Sequence, residues 1–125
     1  MHDTSRIHIT VTPKYLQDQS VPENNQFVFA YTVHMENRGD IAARLLTRHW
    51  IITDAEGKTE EVRGPGVVGE HPHLHPGESF EYTSGAILKT PVGSMMGSYQ
   101  MRDDNGDLFD ATIPVFTLSA EVMFH

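Results

Sequence analysis

Val62-Arg-Gly-Pro-Gly-Val-Val-Gly-Glu-His-Pro-His-Leu-His-Pro-Gly77 decides between two kinds of fold. Gly64, Gly66 and Gly69 are spaced G-x-G-x-x-G. In a doubly wound α/β domain that pattern joins a strand to a helix whose N-terminus holds a pyrophosphate. Here Val67 and Val68 favour extended backbone, and Glu70-His-Pro72 does not open a helix. The dinucleotide reading therefore fails on its context. The glycines are expected to supply positive φ to an irregular loop between strands. A nest of glycine amides around a phosphate is the alternative use.

On both sides of this loop the chain alternates with period two, the signature of half-buried strands. Ile7, Ile9 and Val11 share a face before Pro13, which is expected to end the first strand. Phe27, Phe29, Tyr31, Val33 and Met35 share one in the stretch from Gln26 to Asn37. From Ala43 to Asp54, Leu46, Arg48, Trp50 and Ile52 lie opposite Leu45, Thr47, His49 and Ile51. Asp54-Ala-Glu-Gly57 turns the chain into a short return strand over Lys58 to Arg63. Strands are further expected at Glu78 to Ser84, Gly97 to Arg102 and Leu108 to Leu118. Thr90-Pro-Val-Gly93 reads as a turn, Asn105-Gly106 as a tight hairpin, and Pro114 as the mark of an edge or a bulge. Seven short strands without a sustained helical stripe predict an all-β, antiparallel sandwich of the fibronectin type III or immunoglobulin-like kind. Trp50 takes the place of the core tryptophan of such domains, and Tyr99 that of their tyrosine corner.

His71, His73 and His75 alternate through the second half of the loop. Imidazole is a common transition-metal ligand, so these are the candidate metal residues. Positions four apart on a straight strand lie ~13 Å from each other, so the outer two reach one ion only if the loop bends. One H-x-H pair with a carboxylate such as Glu70 is the largest site this spacing builds, and solvated loop histidines are the competing reading. Asp103, Asp104, Asp107 and Asp110 cluster around the last hairpin, but the spacing and closing Glu of an EF-hand are missing, which leaves a turn with solvated acids. No G-x-S-x-G occurs, and no nucleophile is tied by local sequence to a base.

The 125 residues fit one domain over 1–125, large enough to bury roughly two thirds of its unfolded surface. Cysteine is absent, which excludes disulfides, thiolate zinc sites and thiol nucleophiles. The formal charge of −8, with no run of Lys or Arg, disfavours nucleic acid and anionic lipid as partners. No apolar run spans a bilayer, and the first residues carry no secretory h-region, which points to the cytoplasm.

Arg48-His-Trp-Ile-Ile-Thr-Asp54, Glu61 to Glu70, Pro76-Gly-Glu-Ser-Phe-Glu-Tyr-Thr-Ser-Gly85, Thr90-Pro-Val-Gly93 and Gly97-Ser-Tyr-Gln-Met101 together carry a further signal. These motifs resemble the bacterial ApaG (also called CorD) family, from Ile7 to Leu118. The resemblance implies a fibronectin-III-like sandwich and an association with cobalt tolerance and magnesium efflux. It implies protein binding as well, since related domains occur in a eukaryotic F-box protein and a polymerase-delta-interacting protein. Gly64, Gly66 and Gly69 match the family's glycine motif, for which pyrophosphate binding has been considered. His71, His73 and His75 depart from its usual pattern. The expectation is a binding module without catalysis or cofactor, meeting a protein partner through a sheet edge and the 64–77 loop, with room for a homo-oligomer. The alternative is a sensor of a divalent metal or a polyphosphate at that loop.

Overall fold

The computed structural model describes residues 6–120. Eight strands succeed one another: β1 (Ile7–Tyr15), β2 (Phe27–Asn37), β3 (Ala43–Asp54), β4 (Thr59–Pro65), β5 (His73–Leu74), β6 (Ser79–Leu88), β7 (Val92–Asp103) and β8 (Leu108–Ser119). Between the strands lie 3-10 turns at Gln17–Gln19 and Pro22–Asn24. One sheet has the order β1-β2-β6 and the other β4-β3-β7-β8, with β5 paired to β3 beyond the end of β4. All pairings are antiparallel. The expected sandwich is present, with the two-residue β5 as an eighth strand.

The core lies between the sheets. Alternation delivers Ile7, Ile9, Phe29, Tyr31, Val33 and Met35 to it from β1 and β2, and Met95, Tyr99, Met101, Ala111, Ile113 and Leu118 from β7 and β8. Trp50 is buried at its centre, edge-on to Tyr31 at 5.2 Å and perpendicular to Phe116 at 6.0 Å between ring centroids. Pro114 lies on β8, an edge strand, beside a register shift that sets Met95 against Phe116 but Gly97 against Ile113. It is therefore both at an edge and at a bulge.

Several boundaries differ from the reading of the chain. Pro13 does not end β1; as an edge residue it lacks an N–H that the ladder does not need, and pairing continues to Tyr15 opposite Phe29. β6 runs to Leu88, and β7 begins at Val92, inside the expected turn, because Gly93 can lie against the backbone of Thr53 where a side chain would clash. β3 carries a bulge between Leu45 and Thr47, so Ala43 and Leu45 point inward on one side of it and Arg48 and Trp50 on the other. Leu46 accordingly does not share a face with Trp50. Tyr99 lies deep within β7, and its hydroxyl bonds that of Tyr82 across the core instead of bonding backbone as a tyrosine corner does.

The last hairpin has a three-residue loop, closed by Asp103 N–H donating to Asp107 O, with Gly106 at φ 89°. Asp103 is almost fully buried, which corrects its reading as a solvated acid. Its carboxylate accepts the amides of Asp107 and Asn105 and meets Arg6 at 3.3 Å, and these contacts hold it below the usual carboxylate range. Arg6 also lies over the Phe109 ring at 3.5 Å, tying the start of β1 to β8. The first hairpin is built alike, with Asp54 accepting the amides of Glu56 and Lys58 ahead of Gly57 at φ 83°. Asn37, fully buried, holds the loops at the Asp103 end through donation to Ile41 O and Leu74 O, both at 2.9 Å.

Candidate functional site

Among the described residues the two sheets close on one side. β1 packs against β8 there. On the other side β4 and β6 are both edge strands, and a cleft runs between them. Its upper part is a cavity of about 230 Å³ between Arg48, Tyr31, Tyr82, Ser84 and the turn at Val67 to Gly69. It opens into a larger part of about 560 Å³ floored by Trp50, Ile52, Val62, Ala86 and Met95 and rimmed by Ile87. A last section of about 190 Å³ ends at Lys58 and Lys89. Ile87 is 59% exposed, an apolar side chain standing on the rim. Burial raises the hydroxyl of Tyr31 above its ordinary value and that of Tyr82 to about 12.

The glycine motif forms the upper wall. Gly66 has φ 61° and Gly69 φ 80°, as expected of loop glycines, but Gly64 lies within β4 opposite Arg48 and is not left-handed. Val67 N–H donates to Glu70 O and Glu70 N–H to Val67 O, closing a two-residue hairpin over Val68 and Gly69. Both central residues have positive φ, Val68 at 44°. Such turns favour Asn-Gly, and a β-branched residue there is strained. The amides of Gly66, Val67 and Glu70 all donate to carbonyls of the chain.

Val68 is 57% exposed, so little packing offsets that strain. The substitution Val68→Asn is expected to raise stability by about 1 kcal/mol, read as a higher urea midpoint at unchanged slope. A fall in the midpoint would show that the valine is held by contacts worth more than the strain.

The three histidines diverge. His71 bends back over Gly66, and its Nδ1 bonds Leu45 O at 3.1 Å, within the β3 bulge. His73 and His75 stay together, ring centroids 4.8 Å apart, with His73 Nε2 on Asp104 at 2.8 Å and His75 Nδ1 on Glu78 at 3.0 Å. Glu70 takes no part in this pair, and no group of three His, Cys, Asp or Glu side chains comes together as a metal site among the described residues. The backbone N–H of His75 and then its ring lower the Glu78 carboxyl below its ordinary value.

Arg48, Tyr31, Ser84 and Ile87 were not singled out by sequence reasoning. A signal was present for the first of them: an arginine on the apolar face of a strand, two residues before its tryptophan.

Comparison with known proteins gives a consistent result. The ApaG domain model matches residues 17–103. The chain is 56% identical to Protein ApaG of Pseudomonas paraeruginosa over 100% of both chains, and 54% identical to Protein ApaG of Acidithiobacillus ferrooxidans over 97% of this chain and 95% of that one. Among solved structures it resembles the protein assigned as ApaA in Bordetella pertussis, with TM-score 0.88 and 50% identity over 90% of this chain and 92% of that one. It also resembles the structural-genomics target SoR45, with TM-score 0.90 and 46% identity over 98% and 92%. The chain belongs to the ApaG domain family.

Proposed function

We propose that this chain is a non-enzymatic binding module that takes a protein partner into the cleft between β4 and β6. One observation carries the reading: an apolar, aromatic-floored cleft lies between two strand edges that, among the described residues, no other strand covers. An edge strand offers a row of N–H and C=O groups to an added strand, and the pockets beside it read that strand's side chains. The turn at Val67 to Glu70 overhangs one end of the cleft, so the first part of the 64–77 loop borders it. The part in cobalt tolerance and magnesium efflux that goes with the family would then belong to the partner bound, in the cytoplasm.

A second reading, a divalent-metal sensor, is favoured by the contact between the His73 and His75 rings, each backed by a carboxylate that would orient it toward an ion. A third ligand is not at hand among the described residues, which ranks this reading below the first.

The test is affinity capture from bacterial lysate with wild type and Ile87→Glu, followed by mass spectrometry. A charge on the rim is expected to abolish capture of the specific partner while leaving the thermal midpoint unchanged, since Ile87 is mostly exposed. Equal capture by both proteins would remove the cleft from consideration.

A further inference from the structure

The glycine motif holds an arginine in place, and one edge of that arginine is left unused. Arg48 Nη1 donates to Pro65 O at 2.8 Å and to Gly66 O at 3.0 Å. Both Nη1 hydrogens are thereby used. The guanidinium lies over Gly64, where a Cβ would fall 2.7 Å from Nη2 and 2.8 Å from Cζ. A side chain at position 64 would therefore push the guanidinium off this seat. Gly66, at φ 61°, has the left-handed backbone of the turn that presents the two carbonyls. Nε–H and one Nη2–H remain as a parallel pair, the edge that fits a carboxylate side-on.

The surroundings suit an anion. Arg6, Arg38 and Arg63 each pair with a carboxylate, whereas Arg48, like Arg44, meets backbone carbonyls. Among the described residues the upper cavity that it lines contains no acidic side chain, Glu60 lying farther along in the wider part; Tyr31, Tyr82 and Ser84 bring hydroxyls to it, in a chain whose net charge is −8. Held by backbone carbonyls in a wall without a carboxylate, this cation keeps its charge for a ligand.

We propose that Arg48 is the anion anchor of the cleft and that its ligand is the carboxylate of an extended peptide. The carboxylate sits on the Nε and Nη2 edge, and the peptide's apolar side chains enter the wider part beside Ile52, Val62, Ala86 and Ile87. This deepens the reading of the cleft as a partner site and rests on it. A peptide fits better than a lone small anion because the cleft continues past Arg48 between two uncovered strand edges. A phosphate fits less well because the turn's amides at Gly66, Val67 and Glu70 are engaged by carbonyls of the chain and do not gather into a nest for it.

The experiment titrates three probes into isotope-labelled protein and follows amide shifts: acetyl-VFVL with a free C-terminal carboxylate, the same peptide as its C-terminal amide, and inorganic phosphate. The acid is expected to shift residues 48, 64–69 and 84–87, and the amide to bind about tenfold more weakly. Arg48→Lys should weaken the acid about tenfold and leave the amide form unchanged, because an ammonium does not offer the planar pair. Equal affinity for acid and amide, shifts elsewhere, or no shift at the peptide's solubility limit would overturn the anchor. Phosphate binding more tightly than the acid at the same residues would overturn it in favour of a phosphoryl ligand. In affinity capture, loss of the partner by Ile87→Glu but not by Arg48→Lys would leave the cleft standing and overturn the carboxylate contact alone.

Discussion

Gly97→Ala is expected to cost at least about 4 kcal/mol and to leave little soluble folded protein. Gly97 pairs with Trp50, and a Cβ built there would lie 2.0 Å from His49 O and 3.1 Å from Trp50 Cα. An added methyl in a core usually costs about 1–3 kcal/mol because side chains move aside. Here the obstacle is backbone, on β3, a strand that is itself hydrogen-bonded on both sides. β7 is held on its far side by β8, so neither strand retreats without opening a ladder. Urea denaturation followed by far-ultraviolet circular dichroism gives the loss directly. A value below about 1 kcal/mol would mean that the two strands are more widely spaced at this pair than the structure has them.

Trp50→Ala is expected to cost about 3–5 kcal/mol. The indole meets Tyr31, Tyr99 and Phe116, from both sheets, so its loss opens a cavity that rings fixed at χ1 and χ2 do not easily fill. Because Trp50 is the chain's one tryptophan, the variant is followed by circular dichroism rather than fluorescence. A surface-like loss below about 0.5 kcal/mol would contradict its burial. The cleft should suffer in parallel, since the same side chain forms its floor.

What the chain discloses by itself is whatever depends on near neighbours. Alternation in β2 places Phe29, Tyr31, Val33 and Met35 in the core with Phe27 partly buried against it, and Pro114 announces an edge and a bulge. The bulge in β3 has no local marker. It reverses the inward set between Leu45 and Arg48, and a strict period of two carries Leu46 to the wrong face. Pro13 misleads for a related reason, since an edge position and a strand end look alike until the partner strand is known.

The site divides in the same way. Gly64, Gly66 and Gly69 stand out as a constrained loop, and two of the three have the positive φ expected of them. What Gly64 does depends on the register that sets it opposite Arg48, a pairing across the hairpin that spacing along the chain does not encode. The histidines separate because His71 is drawn to the carbonyl exposed at the bulge, whereas His73 and His75 lie on the short β5 and in the turn after it. The cleft itself, made by β4 and β6 failing to meet, is a property of the assembled sheets.

The closure of the sandwich by its first and last strands governs how the molecule must be made. Arg6 and Asp103 stand 97 positions apart, yet their contact fastens one edge of the core. During synthesis β1 leaves the ribosome early and pairs with β2, but β2 must wait for β6, and β1 for β8, before either finds its remaining neighbours. Long-range pairings of this kind pay for loop closure before they return any contact, and domains dominated by them fold in milliseconds to seconds. A nascent chain halted before Leu108 therefore carries an unsealed apolar face, and that unfinished intermediate is the form in which the chain is most exposed to aggregation.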